Sequence, residues 1–325
     1  MSKTRPQLKT DDNTGFGFNP ALYGKRFLTS DGRPNVKLAG LKTWERLSWY
    51  HTLIGMRSAH FLAVIFGSFI LFNILFAAIY LTIGIDHLSG IEAKTDLEMV
   101  SNAFFFSTQT FTTVGYGRIN PTGYLTSFVA SFQAFCGLLY FAIATGLFYA
   151  RFSRPKAFVR FSKNALIAPY KDGLAVMLRL APYKNNSLTE AEIKVVLAVA
   201  PKVGTSDINK FYVLPLERSK IDALFSSWTV VHPIDDLSPL ADMSIEEIRN
   251  TEMELIVYLK AFDDTFSNTV VARASYMNDQ IIHGARFSVI HRKATSKGET
   301  VVDISRLHDY ELIEMKEPAT VSSSS

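Results

Sequence analysis

Two stretches of this chain carry no Asp, Glu, Lys or Arg for longer than a lipid bilayer is thick: Ser58 to Ile85, 28 residues, and Ile119 to Ala150, 32 residues. A helix needs about 20 apolar residues to cross the hydrocarbon core. Buried helices of soluble proteins are usually shorter and keep a polar stripe. Both stretches are therefore expected to span a membrane. The totals alone do not say so, because 48% hydrophobic and 20% charged residues also suit a soluble protein; the distribution decides.

Between the two lies a third uncharged piece, Met99 to Gly117, of a different character. Ser101, Asn102, Ser107, Thr108, Gln109, Thr110, Thr112 and Thr113 make it too polar to face lipid, and it ends in a glycine-rich run. Non-helical backbone at membrane depth is tolerated only where protein buries it or water lines it. The pattern predicts a pore module over 57–152: an outer helix 57–85, a re-entrant pore helix 99–111, an extended loop 112–117 and an inner helix 122–152.

Charges at the flanks set the expected orientation. Lys37, Lys42, Arg46 and Arg57 precede the first span, and Arg151, Arg154, Lys156, Arg160 and Lys163 follow the second. The loop between the first span and the pore helix carries Asp86, Glu92, Asp96 and Glu98 against Lys94. The positive-inside rule puts both termini in the cytoplasm. The acidic loop then faces outward, where it attracts cations. Residues 1–40 are read as a cytoplasmic N-terminal segment with no apolar run resembling a cleaved signal. Residues 41–56, with Trp44, Leu47, Tyr50 and Ile54 apolar and Lys42, Glu45, Arg46 and His51 polar, read either as a helix in the interface plane or as the start of the first span.

From about Phe158 the chain changes character. Leu174–Leu180, Ile193–Val199, Phe211–Leu214, Trp228–Val231, Leu255–Phe262, Thr269–Tyr276, Arg286–Ile290 and Thr300–Ile304 are short and rich in β-branched and aromatic residues. Lys171-Asp172-Gly173, Asn185-Asn186-Ser187, Asp235-Asp236 and Lys297-Gly298 punctuate them. Short strands with frequent turns predict an all-β sandwich over 158–312. One helix is expected at Ser244 to Asn250, where Ser244 caps and Glu247 sits three residues on. The tail 313–325 is polar and reads as disordered.

The chemistry concentrates in Thr113-Val114-Gly115-Tyr116-Gly117. A permeating K⁺ must exchange its hydration shell for other oxygens, and stacked rings of backbone carbonyls supply them. Successive carbonyls point one way only if the backbone visits conformations that a Cβ disfavours, so Gly115 and Gly117 belong at alternating positions. Val114 and Tyr116 then pack away from the axis, and the Thr113 hydroxyl adds the innermost ring. One chain supplies one wall, so the pore requires four copies around an axis. The pore helix ends with its negative pole toward the cavity below, which favours a cation. A glycine-aromatic-glycine triplet alone is an ordinary turn; here motif and context agree.

The chain resembles the inward-rectifier potassium channels, and more closely their prokaryotic (KirBac-like) members. Beyond the filter, the resemblance rests on Ala150-Arg151-Phe152-Ser153-Arg154-Pro155, Phe161-Ser162-Lys163-Asn164-Ala165, Thr229-Val230-Val231-His232-Pro233-Ile234-Asp235 with Ser238-Pro239-Leu240, and Arg273-Ala274-Ser275-Tyr276. It runs from about Trp44 to Tyr310. It implies a slide helix at 41–56 and a membrane α-helical two-span pore module joined to a cytoplasmic all-β immunoglobulin-like sandwich. It also implies a homotetramer in a bacterial inner membrane. The family's pore helix usually carries glutamate where this chain has Gln109, so bracing of the filter by Gln109 and Thr112 must rest on neutral hydrogen bonds. Strong rectifiers place an acid at the position of Phe141, and phenylalanine attracts neither Mg²⁺ nor polyamines; weak rectification is expected. With Cys136 the only cysteine, the disulfide of eukaryotic members is impossible.

Phe141, Thr145 and Tyr149 fall on one face of the inner helix. By resemblance that face lines the cavity, and four Tyr149 side chains form either a dewetting gate or a ring of interfacial anchors. Gly137 and Gly146 serve either as hinges or as close-packing positions. Arg57, Arg151, Arg154 and Lys156 match basic residues around the family's lipid site, and they also set topology whatever else they do. Asp207, Asp279 and Gln280 are candidate linings of a cytoplasmic ion vestibule. The formal charge of +4 with no basic run argues against nucleic acid. No nucleophile–base pattern, phosphate loop or metal-ligand spacing suggests an enzyme, no cofactor is expected beyond K⁺ as the permeant ion, and His232 and His283 read as structural. The other readings are a nonselective relative with a K⁺-like filter and a membrane-anchored receptor.

Overall fold

The computed structural model describes residues 26–29, 32–36, 39, 40, 42, 48–184, 186–199, 210–241, 243–293 and 300–313. Trp44, Leu47, Asp207 and the tail from 314 lie outside the described residues. The chain divides into two compact units, one of residues 39–154 and one of residues 1–38 with 155–325.

The first unit is helical. A short helix α1 (Trp49–Gly55) precedes α2 (Ser58–Ile83), α3 (Asp96–Phe111) and α4 (Tyr124–Phe152). Both α2 and α4 are long and apolar enough to cross a membrane. The helix expected from 57 to 85 stops at Ile83, because Gly84 takes a φ of 114° and a 3-10 turn, Ile85–His87, follows. The helix expected from 122 begins at Tyr124, after Gly123 at a φ of 83°. The described part of 41–56 is helical only over 49–55. The largest correction concerns α3, which starts at Asp96 rather than Met99. Its first turn holds Asp96 and Glu98, and the Thr95 hydroxyl accepts the Glu98 amide at 3.3 Å. A search for uncharged runs excludes that turn, yet carboxylates are favoured at a helix N-terminus.

Helix α3 packs against both α2 and α4. Phe76, Tyr80, Leu88, Phe106, Ile119 and Ala130 form the shared core. A second aromatic group, Phe69, Phe72, Phe111 and Tyr140, gathers at the C-terminal end of α3. Two short strands, β1 (Leu88–Ser89) and β2 (Asn120–Pro121), pair antiparallel and close the loops around α3.

The second unit is a sandwich of two five-stranded sheets. Its strands are β3 (Val159–Phe161), β4 (Ala165–Tyr170), β5 (Gly173–Pro182), β6 (Leu188–Val199), β7 (Lys210–Val213), β8 (Lys220–Ala223) and β9 (Trp228–Ile234). After helix α5 (Ile245–Asn250) come β10 (Met253–Asp263), β11 (Asn268–Met277), β12 (Ile281–His283), β13 (Ala285–Phe287), β14 (His291–Lys293), β15 (Thr300–Val302) and β16 (Tyr310–Leu312). One sheet runs β11-β10-β6-β7 with β8 on β6; the other runs β12-β4-β5-β3 with β9 on β5. Their facing residues, among them Ile167, Leu178, Ile193, Leu197, Val257 and Trp228, make one core. Helix α5 begins at the capping box in which Ser244 and Glu247 bond reciprocally.

Two buried polar groups fix details of this unit. The His232 ring donates from Nδ1 to the Pro215 carbonyl at 2.6 Å and accepts the Ser238 hydroxyl at Nε2, 2.8 Å away. Burial pushes its pKa below the usual imidazole value, so it is a neutral brace. On the outer face of the β6–β10 sheet, Phe27 and Leu28 pack against Val196, Ala198, Phe211 and Ile256. The buried Glu254 carboxylate holds that segment: Oε2 accepts the Phe27 amide at 2.6 Å, and Oε1 accepts the Leu28 amide at 3.1 Å and the Ser275 hydroxyl at 2.5 Å. Removing the acceptor leaves buried donors unpaired, so Glu254→Ala should cost about 1–3 kcal/mol. A lowered melting temperature of the purified protein checks this, and an unchanged one would show that the carboxylate does not hold residues 27 and 28.

Candidate functional site

The loop after α3 is built on one residue. Gln109, in the last turn of α3, accepts the amides of Val114 at 2.9 Å and Gly115 at 3.3 Å through its main-chain carbonyl. Its side-chain Oε1 accepts the Tyr116 amide at 3.2 Å. Thr112 closes the helix end, its hydroxyl donating to the Thr108 carbonyl at 2.8 Å. At the far end, Asn120 Nδ2 donates to the Gly117 carbonyl at 2.8 Å.

The backbone between these anchors alternates. Thr113, Gly115 and Gly117 have φ values of 58°, 54° and 81°, while Val114 and Tyr116 stay at negative φ. Left-handed backbone suits glycine and costs a residue with a Cβ about 1–2 kcal/mol. Thr113, β-branched, bears that cost, which composition could not reveal. Among the described residues, no donor reaches the carbonyls of Thr113, Val114, Gly115 or Tyr116. The amides of 113–116 are thus all held by α3 while a row of oxygens is left open. Val114 and Tyr116 are 52% and 83% exposed in the single chain.

On α4, Phe141, Thr145 and Tyr149 form an uncovered stripe. Gly137 and Gln133, one and two turns before Phe141, are buried, as is Ala144 at the flank of the stripe, and Phe148 lies edge-on to Phe61 at 5.0 Å. The helix runs unbroken through both glycines. They differ sharply in their surroundings. A Cβ at Gly137 would lie 1.9 Å from the Phe111 carbonyl oxygen, whereas one at Gly146 meets nothing within 4 Å. Gly137 therefore lets α4 touch the end of α3 that carries the loop.

The basic residues also separate. Arg151 Nη1 donates to the Ile54 carbonyl at 3.2 Å, Nη2 to the Ser58 hydroxyl at 3.0 Å, and its guanidinium lies 5.2 Å from the Phe61 ring centre. It ties the end of α4 to the α1–α2 junction. Arg57 and Arg154 are exposed in the same unit, and Lys156 is exposed on the sandwich unit. Asp279 is exposed within the 3-10 turn Asn278–Gln280, where Gln280 Oε1 accepts the Met277 amide at 3.1 Å. No group of three or more metal-ligating side chains occurs among the described residues.

Known sequences place the chain. Residues 159–324 match the family described as inward rectifier potassium channel C-terminal domain, and residues 61–154 match the one described as ion channel. It is 33% identical over 299 residues to the inward rectifier potassium channel Kirbac3.1 of Paramagnetospirillum magnetotacticum, covering 90% of this chain and 98% of that protein. The chain belongs to the inward-rectifier potassium channel family. ATP-sensitive inward rectifier potassium channel 12 of Bos taurus is 26% identical over 309 residues, 87% of this channel and 71% of that one. Inward rectifier potassium channel irk-1 of Caenorhabditis elegans is 24% identical over 278 residues, 80% and 51% of the two chains. This is therefore a KirBac-like potassium channel, a membrane protein and not an enzyme.

The glycine contacts give a direct test of packing in the pore unit. Gly137→Ala should lower the melting temperature of the purified channel and disturb the loop, because a Cβ 1.9 Å from a backbone oxygen fits only if α3 or α4 moves. Gly146→Ala should stabilise by up to about 1 kcal/mol through helix propensity. Equal effects at the two positions would contradict this assignment.

Proposed function

We propose that four copies of the chain surround one axis, with residues 113–117 of each forming the wall of a K⁺-selective filter, and that K⁺ crosses passively through it. The observation that carries this reading is the alternation of left-handed backbone at Thr113, Gly115 and Gly117 beside a row of carbonyls without donors. Dehydrated K⁺ needs such oxygens, and four walls surround it. The exposure of Val114 and Tyr116 supports a multi-chain pore, since neighbouring copies supply the cover a single chain lacks. Both termini lie in the cytoplasm of a bacterial inner membrane, as the flanking charges favour.

The stripe of Phe141, Thr145 and Tyr149 lines the cavity, and the Tyr149 rings close it by dewetting. Rectification by Mg²⁺ or polyamines is weak, because Phe141 offers no charge. Anionic lipid headgroups bind Arg57, Arg154 and Lys156. Arg151, committed to Ile54 and Ser58, serves mainly to hold the helices together and only secondarily meets lipid. Asp279 and Gln280 contribute to a cytoplasmic ion path, with Asp207 as a further candidate.

Potassium flux into liposomes, with barium as blocker, tests the filter. Gly115→Ala should cut barium-sensitive flux by at least about tenfold, since a Cβ at positive φ costs enough to shift the backbone. Wild-type flux from Gly115→Ala tetramers would contradict the filter assignment. In the same assay Tyr149→Ala should raise flux, and unchanged flux removes Tyr149 from the gate. Adding phosphoinositide or another anionic lipid should change wild-type flux more than that of Arg57→Gln with Lys156→Gln; indifference of the wild type counts against lipid control.

A further inference from the structure

We propose that Asn73, Tyr80, Ser107 and Gln133 act together as positioning residues that set the height and rotation of α3, and through it the geometry of the filter. This inference rests on the conduction reading above. All four side chains have no exposed surface. They come from three helices: Asn73 and Tyr80 from α2, Ser107 from α3 and Gln133 from α4.

Their hydrogen bonds form a single directed chain. The Tyr80 hydroxyl donates to Gln133 Oε1 at 2.7 Å. Gln133 Nε2 donates to both the Ser107 carbonyl, at 3.0 Å, and the Ser107 hydroxyl oxygen, at 2.6 Å. The Ser107 hydroxyl donates to Asn73 Oδ1 at 2.9 Å, and Asn73 Nδ2 ends the chain on the Phe69 carbonyl at 2.8 Å. Every hydroxyl proton, and both amide oxygens, have a partner. Between helices in a bilayer no water offers an alternative, so the arrangement has no cheap substitute.

The placement gives the chain of bonds its function. Ser107 lies two residues before Gln109, which holds the amides of Val114, Gly115 and Tyr116. Turning α3 about its axis, or sliding it by one residue, would break the contacts of Ser107 to both α2 and α4 at once. The apolar contacts of Phe106 tolerate such shifts far better, because dispersion is not directional. The four polar residues thus supply the directional constraint, and a small motion of α2 against α4 reaches the filter through Ser107.

The experiment compares K⁺ and Na⁺ flux into liposomes for purified tetramers matched by mass and melting temperature. Ser107→Ala should lower the K⁺:Na⁺ flux ratio by at least about threefold, the factor that a typical interhelical membrane hydrogen bond represents. Ser107→Thr, which keeps the hydroxyl, should restore it. Ser107→Ala combined with Gln133→Leu should be no worse than either alone, since the groups act as a unit. Tyr80→Phe removes only the terminal hydroxyl and should shift the ratio in the same direction, and it reads the proposal even if Ser107→Ala does not assemble. Wild-type ratios in Ser107→Ala or Tyr80→Phe tetramers would overturn the inference, as would effects that simply add. A wild-type protein that passes K⁺ and Na⁺ alike would sink the conduction reading itself, and this inference with it.

Discussion

Everything in the pore unit depends on how five consecutive peptide groups are satisfied where lipid surrounds the protein. The amides of residues 113–116 turn back to the end of α3, those of Val114, Gly115 and Tyr116 to Gln109 alone, and the carbonyls of Thr113 to Tyr116 are left without protein donors. A backbone segment with free acceptors is unfavourable in an apolar slab unless something cationic or polar fills the space beside it. In the proposed pore that partner is K⁺. The left-handed φ of Thr113 is the strain that this arrangement carries, and it is held there because the residues on both sides are anchored.

The helices around the loop are arranged to hold that strain. Gly137 lets α4 approach the Phe111 carbonyl at the loop's origin. The aromatic side chains of Phe69, Phe72, Phe111 and Tyr140 fill the space beside it. Arg151 fastens the other end of α4 to the α1–α2 junction. In the sandwich the same logic recurs with different groups, where Glu254 and His232 place buried acceptors and donors against main-chain partners.

Much of this architecture is legible in the amino-acid sequence alone. The two uncharged runs mark α2 and α4, and short runs rich in β-branched and aromatic residues mark the long central strands β5, β6, β10 and β11. Ser244 with Glu247 marks the start of α5, and Gly115 and Gly117 mark left-handed positions. What is hidden has physical reasons. The first turn of α3 is acidic, so a search for uncharged sequence cuts it off. Strands such as β3, β8, β12 and β16 have only three or four residues and pair at edges, too short to show a period. Thr113 has no propensity for positive φ, and its conformation is imposed by its neighbours. Asn73, Tyr80, Ser107 and Gln133 are far apart along the chain, and only the folded helices bring them together. The role of Arg151 as a helix tie is equally hidden, since its main-chain partners lie nearly a hundred residues away.

The central claim is that the carbonyls of 113–117 face a common axis and replace the hydration shell of K⁺. Crystals grown with Rb⁺ in place of K⁺, with diffraction recorded at the rubidium absorption edge, test it most directly. The account predicts a short column of anomalous peaks on a fourfold axis, beside the main-chain oxygens of Thr113, Val114, Gly115 and Tyr116. A loop lying away from a fourfold axis, or an axis without ions beside these residues, would contradict it.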